Sequence, residues 1–106
     1  MIVVDVSNLP ISGRSGVIRG FESKQLNANF VMLDDGDSIP RHRNDEVDVL
    51  IVVKSGTGTV EIDGELHDLA ADTIALIPQG TMREVKAHRR LLYYTVHQRR
   101  AGLAIR

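Results

Sequence analysis

The chain has 106 residues, a length that suits one domain over residues 1–106 with one hydrophobic core. An apolar fraction of 42% and a net charge of −1 are typical of a soluble globular protein, and the longest apolar run, residues 49–53, is far too short to cross a bilayer. The absence of cysteine excludes disulfides and thiolate metal sites, and together with an amino terminus unlike a signal peptide it favours the cytoplasm.

In chain order, the pattern predicts short strands separated by turns almost throughout. Residues 1–6 form a β-rich run, and residues 7–16 are turn-rich because of Pro10, Gly13 and Gly16. Helical character is confined to a weak signal over residues 22–27. Further strands are predicted over 17–21, 26–34, 47–55, 73–78, 82–87 and 91–100, with a hairpin over 59–69 and turns at 34–38 and 88–90.

The hairpin is the most specific of these signals. Asp63-Gly64 stands between two alternating apolar and polar runs, which is typical of a type I′ turn of two residues. Many short strands with regular turns predict an all-β sandwich or barrel. About 100 residues arranged in this way suit a small barrel whose interior holds one ligand.

Two sets of spaced residues, from Gly36 to Asp48 and from Asp72 to Ala87, accompany these strands and turns, and their order resembles that of a small single-domain cupin. The first cupin motif is G-x5-H-x-H, then three or four residues, then E-x6-G. Gly36 and His42 match this motif in spacing, whereas Asn44 replaces its second histidine. Asp48 follows after three residues where the family has glutamate.

The second cupin motif is G-x5-P-x-G-x2-H-x3-N. Asp72 stands at the first glycine position, which aspartate tolerates because it accepts turn conformations. Pro78 and Gly80 match. Arg83 stands where the metal-binding histidine is expected, and Ala87 replaces the final asparagine.

The resemblance covers residues 36–87. It implies an all-β, cupin-like double-stranded β-helix, that is, a jelly-roll barrel, with degenerate metal motifs. It also implies a homodimer, and the apolar amino-terminal strand is a candidate to pair with a partner's sheet edge. The resemblance implies that His42 is one of the family's metal ligands, and by its position it implies the same of Asp48.

Several side chains are candidate ligands for a metal or a small molecule in this site. His42 and Asn44 share a face of their strand because side chains alternate, and Asn44 offers only a weak amide ligand. Glu46 and Asp48 have the same parity, so alternation does not choose between them. Arg83 cannot bind a metal because it has no acceptor and stays protonated.

Arg83 has three interpretations. It forms a neutral buried pair with Asp48 or Glu46, or it binds the carboxylate or phosphate of a small ligand through its planar fork, or it makes a salt bridge for stability only. Because Val85 is apolar and shares the parity of Arg83, we expect both to point inward.

His97 is the remaining candidate ligand. It lies on the last strand in register with Tyr93 and Thr95. If that face is inward, His97 could join His42 and a carboxylate from Glu46 or Asp48 in a two-histidine, one-carboxylate metal site. If that face is outward, His97 is a surface residue. Solvent-facing positions are expected for the other two histidines, His67 and His88.

The functional prediction is a cupin that binds a small polar or anionic molecule in its barrel, with the usual metal site degraded; its ligand-binding residues are His42, Asn44, Asp48, Arg83 and His97. The alternative is a divalent-metal oxygenase or isomerase, with a transition metal held by His42, Glu46, Asp48 and His97. Catalytic residues are not assigned. A third hypothesis is a purely structural role in assembly.

Residues 83–106 hold seven of the thirteen Lys and Arg residues, but few aromatic residues accompany them, so no nucleic-acid partner is expected.

Overall fold

Strands account for most of the regular structure in the computed structural model, which describes residues 1–11 and 13–99. The predicted all-β class is confirmed. The strands are β1 Gly16–Glu22, β2 Leu26–Leu33, β3 Ser38–Arg43, β4 Val49–Ile62, β5 Glu65–Ala70, β6 Ile74–Ile77 and β7 Met82–Gln98.

The two long strands, β4 and β7, pair antiparallel with each other and take part in two layers. In the first layer, the carboxyl-terminal half of β7 pairs with β2, the amino-terminal half of β4 pairs with β6, and β1 pairs with β2. In the second layer, the amino-terminal half of β7 pairs with β3, and the carboxyl-terminal half of β4 pairs with β5. This arrangement is the expected jelly roll.

The β4–β7 ladder bends where its register is irregular, between Val53 and Gly58. Backbones approach very closely there. A Cβ atom on Gly56, whose φ is +88°, would lie 1.9 Å from the carbonyl oxygen of Arg90, and a Cβ atom on Gly58 would lie 2.2 Å from that of Lys86. The break predicted within β4 and the turn predicted at 88–90 are therefore bends inside continuous strands.

One buried cluster joins the inner faces of both layers. Tyr93 and Ile51 come from the first layer, and Val60 and Val85 come from the second. We call the region around Arg83 and His42, where the start of β7 pairs with the end of β3, the mouth.

The two-residue turn between β4 and β5 is confirmed. Asp63 and Gly64 have φ values of 48° and 85°, and positive φ at both central residues is the mark of a type I′ turn. The weak helical signal over 22–27 is wrong, because these residues belong to β1, β2 and their connection.

The amino terminus also differs from its prediction. Residues 1–6 do not form a strand; instead a 3-10 turn, Val6–Asn8, follows a capping aspartate, Asp5, which accepts a hydrogen bond from the backbone N–H of Ser7. At the other end β7 stops at Gln98, and Arg100, the last residue of the predicted strand, lies outside the described residues.

Candidate functional site

The mouth is built around a contact between Arg83 and His42. β3 lies beside β7 with His42 opposite Arg83 in the register, so their side chains are neighbours across the sheet. The Nε–H of Arg83 donates a hydrogen bond of 3.1 Å to Nε2 of His42. This contact fixes the plane of the guanidinium group.

The second nitrogen of His42 determines its tautomer. Nδ1 lies 2.9 Å from the carbonyl oxygen of Pro40, and a carbonyl only accepts hydrogen bonds. Nδ1 is therefore assigned as the protonated nitrogen, which leaves Nε2 free to accept from Arg83. In this arrangement His42 acts as a support for the arginine.

Arg83 belongs to the interior of the barrel. It is 9% exposed, and Val85 and Ala87 on the same face of β7 are also buried, whereas Met82 and Lys86 on the other face are exposed. The alternation expected for Arg83 and Val85 is thus present in the structure. The guanidinium nitrogen Nη1 is itself buried.

Tyr93 lies on the inner face of the first layer and was not among the predicted site residues. It is 1% exposed. Burial raises the pKa of its hydroxyl well above the usual range, while the positive charge of Arg83 acts in the opposite direction. The tyrosine is therefore neutral. Its shared parity with His97 was the sequence signal that could have identified it.

Asn44 follows directly after β3 and is 5% exposed. Its Oδ1 accepts hydrogen bonds from the backbone N–H groups of Glu46, at 2.9 Å, and Val47, at 3.3 Å. The amide oxygen, the only atom through which Asn44 could ligate a metal, is thus used to hold the loop. Its buried Nδ2 has no hydrogen-bond partner within the described residues.

The structure argues against Asp48 as an interior ligand. Asp48 is exposed, and its Oδ1 accepts a hydrogen bond of 2.8 Å from the backbone N–H of Gln79. Val49, 4% exposed, takes the inward position and belongs to the core. Val49 also fits the spacing of the first cupin motif, because four residues separate it from Asn44 and six separate it from Gly56. Valine therefore occupies the position of the motif's glutamate.

The other two candidates lie on different parts of the chain. Glu46 is exposed in the loop between β3 and β4. His97 is half-buried near the end of β7, opposite Asn27 on β2, and its Nδ1 lies 2.8 Å from the carbonyl oxygen of Gln98.

The residues at the mouth do not fit a divalent transition metal. Such an ion needs three or more converging nitrogen or oxygen ligands. Across residues 1–11 and 13–99, no three His, Cys, Asp or Glu side chains are gathered in a way that could hold an ion, so the set predicted from the sequence, His42, Glu46, Asp48 and His97, is not brought together. Arg83 and Val49 occupy two of the family's ligand positions.

We therefore expect untagged protein purified without chelators to contain only substoichiometric transition metal, as measured by mass spectrometry, because His42 alone cannot hold the ion. His42→Ala should contain the same trace amount. One equivalent of metal in the unmodified protein, lost in His42→Ala, would contradict this expectation.

A cavity of about 310 Å³ opens between the first layer and β3. Its wall is largely apolar and includes Tyr93. The main lining residues are Asn29, Val31, Leu33, Ile39, Tyr93 and Thr95.

Three solved structures share this fold. The cupin domain of Schizosaccharomyces pombe Cnp3 superposes with a TM-score of 0.81 at 13% identity, covering 97% of this chain and 77% of that one. A double-stranded β-helix protein from Klebsiella pneumoniae gives 0.79 at 16% identity, covering 93% and 90%. KdgF from a Halomonas species gives 0.73 at 23% identity, covering 84% and 81%. At these identities the likeness concerns the fold.

No curated protein matches the sequence. The described part of the chain contains no helix with the length and hydropathy that a bilayer crossing requires. The family model described as "Cupin domain" matches residues 29–96, well over half of the chain and the part that contains the mouth. With the jelly roll and its structural neighbours, this match shows that the chain belongs to the cupin family.

Proposed function

We propose that this cupin domain binds a small anionic molecule at the mouth of its barrel, with Arg83 as the anchor. The observation that carries the proposal is the buried guanidinium of Arg83, whose Nε–H donates a hydrogen bond to Nε2 of His42. A planar guanidinium held in one orientation matches the geometry of a carboxylate or phosphate.

The surroundings of Arg83 favour a ligand rich in acceptor oxygens. Nδ2 of Asn44, near the same end of the barrel, is a buried donor with no partner in the described structure. A buried donor left without an acceptor is costly, and a ligand oxygen would relieve that cost. Both groups donate hydrogen bonds, so an anion suits them better than a cation.

Replacing Arg83 with glutamine tests the proposal. We expect the affinity for acetate, malonate or phosphate to fall by about 30-fold, roughly 2 kcal/mol, because the charged hydrogen bonds are lost. Arg83→Lys should lose most of this affinity as well, since an ammonium group has no planar fork. Affinities can be measured by NMR titration, with circular dichroism confirming that each variant is folded.

Arg43→Gln is the matched control. Arg43 is exposed beside His42, and its Nε lies 3.1 Å from Oδ1 of Asp45 outside the barrel. Removing this charge should leave anion affinity nearly unchanged. Equal losses in Arg43→Gln and Arg83→Gln would mean that net charge attracts the anion, and the proposed site would be wrong.

The alternative of a divalent-metal oxygenase or isomerase is less well supported, because Arg83 and Val49 stand at two ligand positions. The homodimer stays a prediction that light scattering can test. The amino-terminal segment expected to mediate it is not a strand, but its side chains Met1, Ile2 and Val3 are exposed and apolar. The cytoplasmic location also stays a prediction.

A further inference from the structure

The cavity between the first layer and β3 is a second feature without a role. It measures about 310 Å³ and has an apolar wall that includes Val31, Leu33 and Ile39. Its polar side chains include Asn29 and Thr95, which are linked by a hydrogen bond of 3.4 Å from Nδ2 to Oγ1. At roughly 30 Å³ for each water-sized group, this volume accommodates about ten nonhydrogen atoms.

The cavity and the Arg83–His42 pair are built on the same two strands. β3 supplies Ile39 to the cavity and His42 to the pair, three residues or roughly 10 Å further along the strand. β7 supplies both Tyr93, which lines the cavity, and Arg83, whose charge acts on Tyr93. This separation of roughly 10 Å is within the length of an elongated small molecule.

The charges around the cavity favour one orientation of a bound anionic ligand. The carboxylate of Asp37, just before β3, accepts a hydrogen bond from Ser15 at the rim, at the opposite end of β3 from His42. A negative ligand group is disfavoured beside Asp37 and favoured beside Arg83. Two other cavities have a carboxylate in their own lining, Asp68 in one and Glu22 in the other, and so suit an anion less well.

We propose that the ligand is a monocarboxylate with an apolar body of about ten nonhydrogen atoms, its carboxylate on Arg83 and its body in this cavity. The inference rests on the proposed function and narrows it to a ligand class. The cavity contributes affinity by burying the apolar body, and Arg83 contributes the choice of a carboxylate over a neutral group.

Three probes separate these contributions. Acetate presents only the carboxylate, 3-phenylpropanoate adds an apolar body, and 3-phenylpropanamide keeps that body without the charge. We expect 3-phenylpropanoate to bind about 50-fold more tightly than acetate because its ring leaves water. The amide should bind at least about 30-fold more weakly than 3-phenylpropanoate, and Arg83→Gln should remove most of that difference.

Val17→Trp tests the cavity itself. Val17 lies in the cavity lining, is 61% exposed and can carry a larger ring without disturbing the core. This variant should lower the affinity for 3-phenylpropanoate about 10-fold or more and leave that for acetate unchanged. Leu66→Trp, which adds the same ring at a position 64% exposed on β5, should change neither affinity.

The outcomes distinguish the two proposals. If acetate and 3-phenylpropanoate bind equally and both depend on Arg83, the ligand class is wrong and the proposed anion site stands. If Val17→Trp has no effect on 3-phenylpropanoate, the cavity is not where its body binds. If neither carboxylate binds, or if Arg83→Gln leaves the affinity unchanged, both the proposed function and the proposed ligand class are wrong.

Discussion

Gly56→Ala is expected to lower the free energy of unfolding by more than about 4 kcal/mol, enough to leave much of the protein unfolded at 25 °C. The new methyl group would lie 1.9 Å from the carbonyl oxygen of Arg90, and φ of +88° is strained for alanine. The neighbouring atoms are backbone, so the bend would have to open. Urea unfolding followed by circular dichroism measures the loss.

Gly64→Ala is the matched control for backbone strain. Gly64 also has a positive φ, +85°, but nothing lies within 4 Å of its Cβ position. The free energy of unfolding of Gly64→Ala should fall by about 1–2 kcal/mol, the cost of a left-handed conformation alone. Similar losses of unfolding free energy in Gly56→Ala and Gly64→Ala would contradict this explanation, because they would show that the close backbone approach at Gly56 adds nothing to the cost of its positive φ.

Tyr93→Ala is expected to lower the free energy of unfolding by about 3–5 kcal/mol, because a large aromatic side chain is removed from a buried position. Tyr93 is 1% exposed and belongs to the cluster that joins the two layers. The same change removes part of the cavity wall. Thermal and urea unfolding of the variant measure the loss of stability.

Tyr93→Phe separates the ring from the hydroxyl group. It keeps the apolar contacts, so its cost should stay within about 1.5 kcal/mol, as for other volume-conserving changes. A loss in Tyr93→Phe as large as that in Tyr93→Ala would mean that the hydroxyl, and not the packing of the ring, dominates the contribution of Tyr93.

Local signals in the sequence were sufficient to predict much of the fold. Asp63-Gly64 predicts its hairpin because positive φ at two adjacent residues suits few other pairs. The sequence predicts β4 as two separate strands because glycine inside a strand also indicates a turn. Gly56 and Gly58 permit a bend, and only the facing backbone of β7 distinguishes a bend from a break.

Part of the candidate site follows from local patterns. The spacing from Gly36 predicts His42 as a site residue, and the alternation of β7 predicts that Arg83 faces inward, which its burial supports. Asp48 is predicted by position, but it is exposed and Val49 is buried, because the loop between β3 and β4 interrupts the alternation. The contact of Arg83 with His42 and the partnerless Nδ2 of Asn44 depend on tertiary geometry and carry no local signal.

The bent β4–β7 ladder has a consequence for how the chain folds. Ile62 and Arg83 are 21 residues apart (83 minus 62), whereas Leu50 and Val96 are 46 apart (96 minus 50). Pairings between such distant residues require the closure of long loops and make folding slow. The local β4–β5 hairpin can form early, whereas Arg83 and His42 are 41 residues apart (83 minus 42) and meet only when β3 pairs with β7. Partly folded chains that contain only the hairpin therefore lack the contact between Arg83 and His42.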